Sequence, residues 1–290
     1  MRMIEKNNKK IGKIMLVTIL TISFLTVAIF SGCIGTKKAT IVVISRESTS
    51  GTREFFWDHV LGKEDFYADS IEKTSNGEVY DTVKTTPLAI GYVGLGYIKT
   101  DVKALKIDGV APSTDTVLDG SYRIARELYM FTKGEATGIA KDFIDYLLSS
   151  EGQAIVEEKG FVPLATSEPF NVTNRITTGT LDISGSTTVL PIALAIQEEY
   201  VKLYPGLTIN ILGPGSSAGI TAVSEGTAQI GMSSRGLKDT EKNLGLVNHT
   251  ICSDGIAIIV HPSNNYIPND DLTMAQLKTI YTNGGDWTEI

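Results

Sequence analysis

The fold class is decided by Leu181-Asp-Ile-Ser-Gly-Ser-Thr-Thr-Val-Leu-Pro191, in which an apolar run leads through small and hydroxyl residues into a helical pattern. Two other segments repeat this design: Ile211-Leu-Gly-Pro-Gly-Ser-Ser-Ala-Gly-Ile220 and Ile44-Ser-Arg-Glu-Ser-Thr-Ser-Gly-Thr-Arg-Glu-Phe55. Free N–H groups and the positive dipole end at a helix start favour an oxyanion, and hydroxyls add donors. Each segment alone is explained by ordinary N-capping. Three together predict an anion site that needs no metal.

The rest of the chain alternates between strand and helix patterns. Apolar β-branched runs predict strands at 39–45, 89–98, 127–132, 207–213 and 255–261, and amphipathic spacing predicts helices at 138–148, 188–204 and 272–281. This alternation predicts an α/β fold with largely parallel sheets. The polar stretch 165–180 has no period and is predicted to be a linker.

The first 32 residues have the pattern of an export signal, with a basic start, an uncharged apolar run at 14–30, and Ser31-Gly32 before a cysteine. Phe30-Ser31-Gly32-Cys33 resembles a lipoprotein processing site, which predicts lipid attachment at Cys33. The alternative is an uncleaved transmembrane anchor, since 17 residues is near the lower length limit for a span. Either one places the rest of the chain outside the cytoplasm.

Charge and cysteine count exclude several classes of protein. The chain carries a formal charge of −7, and because residues 1–32 hold five basic groups and one acidic group, the remainder carries −11. That charge argues against nucleic acid or an anionic membrane surface as a partner. With Cys33 assigned to the signal, Cys252 is predicted to be a small buried residue, and no disulfide framework is possible.

Catalytic motifs are missing from the sequence or are weak. The chain has no P-loop and no Gly-x-Ser-x-Gly elbow, and Gly213-x-Gly215 lacks the remainder of a dinucleotide fingerprint. His59, His249 and His261 are not at metal-ligand spacing. A secreted phosphoryl hydrolase with a serine nucleophile remains the competing class, but it requires a base near that serine.

Eight motifs resemble a known family. Ser184-Gly-Ser-Thr-Thr-Val-Leu-Pro191, Gly215-Ser-Ser-Ala-Gly219, Ile230-Gly-Met-Ser-Ser-Arg235 and Asp254-Gly-Ile-Ala-Ile-Ile-Val-His-Pro262 resemble the first half of the phosphate-binding proteins of phosphate ABC transporters. Arg46-Glu-Ser-Thr-Ser-Gly-Thr-Arg53, Ser75-Asn-Gly77, Ile90-Gly-Tyr-Val-Gly-Leu-Gly-Tyr97 and Ser150-Glu-Gly-Gln153 resemble the second half. The resemblance covers nearly all of residues 39–290.

This resemblance implies a two-lobed α/β periplasmic-binding-protein fold, type II-like, with a hinge. One lobe would comprise residues 39–125 plus 255–290, and the other residues 133–253, including the linker. Hinge strands near 127–132 and 252–260 would join them. The implied function is extracytoplasmic binding of inorganic phosphate and its delivery to the membrane permease subunits of an ABC importer, without catalysis or a cofactor. A sensor or scaffold that has lost transport is an alternative.

The resemblance also implies the ligand-binding residues. They would be Thr188, Val189, Ser216 and Ser234 from one lobe, and Arg46, Ser50, Gly51 and Thr52 from the other. Ser234 departs from well-known members, which have an aspartate that accepts the proton of hydrogen phosphate. A hydroxyl does not repel sulfate as a carboxylate would, so another tetrahedral oxyanion such as sulfate is an alternative ligand. Asp254 and Glu47 are candidate replacement acceptors.

The order of the motifs differs from the order in that family, because the segments that resemble its second half begin directly after the signal. Thr282-Asn-Gly-Gly-Asp-Trp287, which precedes those segments in the family, stands near the end of this chain. A circular permutation explains this order, with the original ends joined through 165–180. The new ends would open beside Trp287 and Ala39. Since the termini of compact domains often lie close together, and such cuts are tolerated in surface loops, Trp287 and Thr40 are predicted to lie near each other. A rearranged or truncated gene is the alternative.

Overall fold

Residues 38–165, 167–171 and 178–290 are described by the structure, a computed structural model. The predicted signal, Cys33 and part of the predicted linker lie outside these residues. The strands are β1 Val42–Arg46, β2 Ile71–Lys73, β3 Ala89–Gly94, β4 Lys103–Ala104, β5 Lys106–Ile107, β6 Ala125–Lys133, β7 Gly179–Gly185, β8 Leu207–Leu212, β9 Ile230–Ser233, β10 Leu246–Val260 and β11 Asp271–Leu272. The α-helices are α1 Gly51–His59, α2 Asn76–Thr85, α3 Thr114–Leu118, α4 Gly138–Leu148, α5 Ser150–Glu158, α6 Leu190–Leu203, α7 Ser216–Glu225 and α8 Met274–Asn283.

One mixed sheet runs through the described chain in the order β2-β1-β3-β10-β6-β9-β7-β8, and β4 also pairs with β10. β1 is parallel to β2 and β3, and β7 is parallel to β8 and β9. β10, however, runs antiparallel to both β3 and β6. The prediction of largely parallel sheets is therefore wrong for the central strands, since β10 passes from one half of the sheet to the other without a crossover helix.

Strand β10 connects the two halves of the sheet. Its first part, from Leu246 to Gly255, pairs with β6, and its last part, from Ile256 to Val260, pairs with β3. The strand predicted at 255–261 is only this second part. The strand predicted at 89–98 is shorter than expected, because β3 ends at Gly94 and a 3-10 turn, Leu95–Tyr97, follows.

Two hydrophobic cores lie on either side of this connection. The first core is built from buried residues between 39 and 124 and between 256 and 290, with Val162 added from elsewhere in the chain. The second core is built from buried residues between 128 and 252. Cys252 is fully buried in the second core, as the sequence predicted.

The segment before β1 packs against the last described residues. Thr40 forms an antiparallel bridge with Asp286, and the Trp287 amide donates to the carbonyl of Ala39 at 2.9 Å. Trp287 is buried in the first core. Trp287 and Thr40 therefore lie near each other on the side of the first core. A permutation requires this proximity, but the proximity does not by itself establish a permutation.

Candidate functional site

On the side of the second core, residues that carry hydroxyl groups lie together at the ends of β7 and β9. Gly185 ends β7 at a φ of 145°, and a Cβ there would lie 2.1 Å from the Met232 carbonyl of the adjacent strand. Only glycine therefore allows this approach, and the chain then turns through Ser186 into helix α6. The Ser186 hydroxyl accepts from the Thr188 amide at 3.1 Å and from the Val189 amide at 3.4 Å. The turn is buried, and the Thr188 hydroxyl lies beside the Thr52 hydroxyl of helix α1, at the boundary between the two cores that is called the cleft below.

Ser216 and Ser234 form a second part of the site. Ser216 begins helix α7, Ser234 follows β9, and their hydroxyl oxygens lie 3.2 Å apart. The Ser234 amide also donates to the Ser216 hydroxyl at 3.1 Å. Gly51 of helix α1 closes over this pair, since a Cβ on Gly51 would lie 2.3 Å from the Ser216 hydroxyl oxygen.

Arg46 ends strand β1 on the opposite side of the cleft and is 1% exposed. Its Nε donates to the Lys73 carbonyl at 3.1 Å, and its Nη2 donates to the Thr74 carbonyl at 2.9 Å and to the Thr187 hydroxyl at 3.1 Å. Its Nη1 is buried and has no hydrogen-bond partner among the described residues. Burial lowers the pKa of Arg46, and the nearby Arg126 charge lowers it further. A buried cationic donor without an acceptor is suited to an anion.

Helix α1 brings the remaining predicted residues to the cleft. The Thr52 hydroxyl lies 3.1 Å from the Thr188 hydroxyl of the other side. Ser50 is the N-cap of α1, and its hydroxyl accepts from the Arg53 amide at 3.2 Å. The structure thus brings Arg46, Thr52 and Thr188 together, and Gly51 against the two serines. In contrast, the Ser50 hydroxyl caps helix α1, and the Val189 amide donates to the Ser186 hydroxyl.

Three residues that were not among the predicted ligand residues also lie in the cleft: Asn76, Thr187 and Arg126. The Asn76 side-chain amide donates to the hydroxyls of Thr187 and Thr188, each at 3.0 Å. The third is Arg126, whose Nη2 donates to the Thr188 hydroxyl at 3.3 Å. Asn76 stands in the Ser75-Asn-Gly77 motif, which could have indicated it. Arg126 could have been indicated by the alternation of strand β6, because it lies on the same face as the buried Leu128 and Met130.

The candidate replacement acceptors are both engaged elsewhere. Asp254 is fully buried; its Oδ1 accepts from the Leu95 amide at 2.9 Å, and its Oδ2 accepts from Arg126 at 2.9 Å. Burial raises the pKa of the Asp254 carboxyl, and the Arg126 charge opposes this. The Glu47 carboxylate accepts from the Thr49 hydroxyl at 2.8 Å.

The three histidines make contacts outside the cleft. His59 contacts the Arg123 carbonyl, His249 the Thr132 hydroxyl, and His261 the Ser263 hydroxyl. Within the described ranges, no cluster of His, Cys, Asp or Glu could hold a metal ion. The cleft is instead rich in donors, with two guanidinium groups, an amide and several hydroxyls facing few acceptors. Such a site can hold an oxyanion by charge-assisted hydrogen bonds.

Comparison with known proteins agrees with this geometry. The PBP superfamily domain matches residues 26–151 and 172–289. Phosphate-binding protein PstS 2 of Streptococcus agalactiae is 37% identical over 271 residues, which is 88% of this chain and 90% of that one. PstS 2 of Streptococcus pneumoniae serotype 4 is 39% identical over 251 residues, 84% of each chain.

A solved structure supports the same assignment. The crystal structure of a phosphate-binding protein of a phosphate ABC transporter from S. pneumoniae TIGR4 superimposes with a TM-score of 0.69. The two sequences are 35% identical, and the match covers 87% of this chain and 99% of that one. The fold is therefore the two-lobed α/β fold of binding proteins, and the chain belongs to the PBP superfamily and, within it, to the phosphate-binding protein family of the phosphate ABC transporters.

Proposed function

We propose that this chain binds inorganic phosphate in the cleft between its two cores and delivers it to the permease subunits of an ABC importer. The observation that carries the proposal is Arg46 Nη1, a buried cationic donor without a partner among the described residues, which lies in a cleft lined by hydroxyls from both sides. The relatives named above are called phosphate-binding proteins. Membership of the same family supports phosphate as the ligand of this chain. We propose Thr188, Val189, Ser216, Ser234, Arg46, Ser50, Gly51 and Thr52 as the binding residues.

Closure of the cleft belongs to this proposal. We propose that the first core corresponds to a lobe of residues 39–125 plus 255–290, and the second core to a lobe of residues 133–253. β6 and β10 would then act as the hinge, with the ligand favouring the closed state through contacts made from both sides.

The proposed location is outside the cytoplasm, as expected for a binding protein that serves an importer. No helix in the described part of the chain is long and apolar enough to cross a membrane. Anchoring through a lipid on Cys33 stays a prediction, and so does the uncleaved anchor.

Sulfate is a second candidate ligand, favoured by one observation. The Ser234 hydroxyl lies against the Ser216 hydroxyl, so this position offers no carboxylate to repel an oxyanion that lacks a proton. A phosphoryl hydrolase is disfavoured, because the histidine contacts observed do not include a site serine or threonine.

Calorimetric titration of the full-length protein tests these assignments. We expect phosphate to bind one-to-one, with the same affinity in the presence of a metal chelator, and without turnover of a phosphate ester. Titration with phosphate in excess sulfate ranks the two ligands. If phosphate gives no heat and does not raise the unfolding temperature, the proposed function is wrong; if sulfate binds more tightly, the ligand assignment changes.

A further inference from the structure

Arg126 lies where the chain passes between the two cores. It stands opposite Asp254 in the register of β6 and β10, one residue before β10 reaches Gly255 and changes its pairing partner to β3. The side chain of Arg126 is 2% exposed, and that of Asp254 is fully buried. A guanidinium in such a place needs an acceptor for its charge and its donors.

The guanidinium of Arg126 donates both to Asp254 and to residues of the proposed phosphate site. Nε and Nη2 donate to Asp254 Oδ2 at 3.2 Å and 2.9 Å. Nη1 donates to the Ser234 carbonyl at 3.1 Å, and Nη2 also donates to the Thr188 hydroxyl at 3.3 Å. Arg126 therefore touches two residues of the proposed phosphate site. Asp254 is itself held by the Leu95 amide, so it fixes the orientation of the guanidinium.

The charge of the cleft depends on Arg126. The buried charged side chains that contact the cleft residues in the described chain are Arg46, Arg126 and Asp254, which together carry one positive charge. Without Arg126, Arg46 and Asp254 would cancel. Burial lowers the pKa of Arg46, and the like charge of the nearby Arg126 also lowers it. An anion near both guanidinium groups favours their charged forms.

We propose that Arg126 is a second cationic ligand-binding residue for the tetrahedral oxyanion, supplied by strand β6, and that Asp254 is its positioning residue. This inference rests on the proposed function. The competing explanation is that Arg126 serves only as the counter-ion of Asp254.

A double variant separates these explanations. Arg126→Gln with Asp254→Asn removes both charges at once, so it leaves no unpaired buried charge. We expect it to fold and to bind phosphate at least about tenfold more weakly than the wild type, because the guanidinium donors are lost while the net charge of the cleft stays at one positive charge. A merely structural pair would leave the phosphate affinity unchanged.

The matched control is a second arginine–carboxylate pair, in which the arginine side chain is 5% exposed and the carboxylate side chain 17% exposed. Arg235 donates to Glu241 at 2.7 Å and to the Ser217 hydroxyl at 3.0 Å. Arg235→Gln with Glu241→Gln should keep the phosphate affinity within about threefold of the wild type, since these contacts lead away from the cleft. Equal losses in both double variants, or wild-type affinity in the Arg126→Gln/Asp254→Asn variant, would overturn the inference.

A single variant covers the case in which the double variant does not fold. Arg126→Lys keeps the charge beside Asp254 but loses the planar fork. Phosphate should then bind several-fold more weakly while the unfolding temperature stays near that of the wild type, and unchanged affinity would overturn the inference. If the wild type binds sulfate but not phosphate, the phosphate assignment fails, and the same variants test Arg126 with sulfate.

Discussion

At the residue scale, Arg46 is the clearest predicted determinant of affinity. Nε and Nη2 donate to backbone carbonyls and Thr187, which leaves the buried Nη1 as the donor available to the proposed ligand. A hydrogen bond to a charged group contributes about 1.5–3 kcal/mol, so Arg46→Ala should weaken phosphate binding by at least about tenfold. Arg46→Lys should recover part of that loss. Titration calorimetry and circular dichroism measure affinity and fold, and an Arg46→Ala protein with wild-type affinity would remove this residue from the site.

Gly51 provides a test of closure at the same scale. A Cβ at this position would lie 2.3 Å from the Ser216 hydroxyl oxygen and 2.8 Å from that of Ser234, so the cleft cannot close as it does now. Gly51→Ala should lower phosphate affinity by at least about tenfold without lowering stability, because alanine favours the helix. Gly77→Ala is the control, since its Cβ would meet nothing closer than 3.7 Å in the first turn of α2. Equal affinities of the two variants would contradict this account.

The site residues differ in how far the sequence could predict them. Thr188, Ser216 and Arg46 stand in segments whose composition indicates an anion site, and the structure places them around one cleft. Arg126 was missed, because its contacts depend on the register of β6 with β10, which pairs residues 128 positions apart. Its place in the buried phase of an alternating strand was the available signal.

At the element scale, the 3-10 turn Leu95–Tyr97 ties the two sides of the cleft together. The Tyr97 hydroxyl donates to the Thr187 carbonyl at 2.7 Å, and burial raises the pKa of Tyr97 to about 12, so the phenol keeps its proton at neutral pH. One such hydrogen bond contributes about 0.5–1.5 kcal/mol. Tyr97→Phe should therefore weaken phosphate binding by roughly two- to tenfold.

Tyr122 offers a matched control within one core. Its hydroxyl donates to the Ile256 carbonyl at 2.8 Å, and both residues belong to the first core. Tyr122→Phe should lower the unfolding temperature and leave phosphate affinity unchanged. The idea fails if Tyr97→Phe loses stability but not affinity, as measured by thermal unfolding and titration.

Elements were predicted better than their pairing. Helix α4 has the bounds predicted from its apolar spacing, because that spacing repeats without interruption from 138 to 148. β10 was predicted only in its second half, since residues 246–254 contain Asn248, His249 and Asp254, which break an apolar run. Asn248 is exposed and His249 is half-buried, and the buried Asp254 is accommodated because it pairs with Arg126 of β6.

At the scale of the whole molecule, the contacts of Trp287 and Thr40 permit a test of circular permutation. Linking Ile290 to Ala39 through a few residues and opening the chain within 165–180 should give a protein that folds and binds phosphate with similar affinity, because the cleft residues are unaffected. The described part of that segment contacts helix α5, with the Ser150 amide donating to the Glu168 carbonyl at 2.9 Å, so the opening belongs after residue 171. A relinked protein that stays unfolded would contradict the permutation, which otherwise stays a prediction.

The path of β10 also determines which of the two cores can be completed first during synthesis of the chain. A chain is made from its amino end, so residues 39–124 appear first, yet β3 lacks its antiparallel partner until residues 256–260 follow. The second core, built between residues 128 and 252, has all its strands earlier. The later-numbered core can thus form first, while β3 keeps one unpaired edge until residues 256–260 are made, and such an edge is open to pairing with another chain.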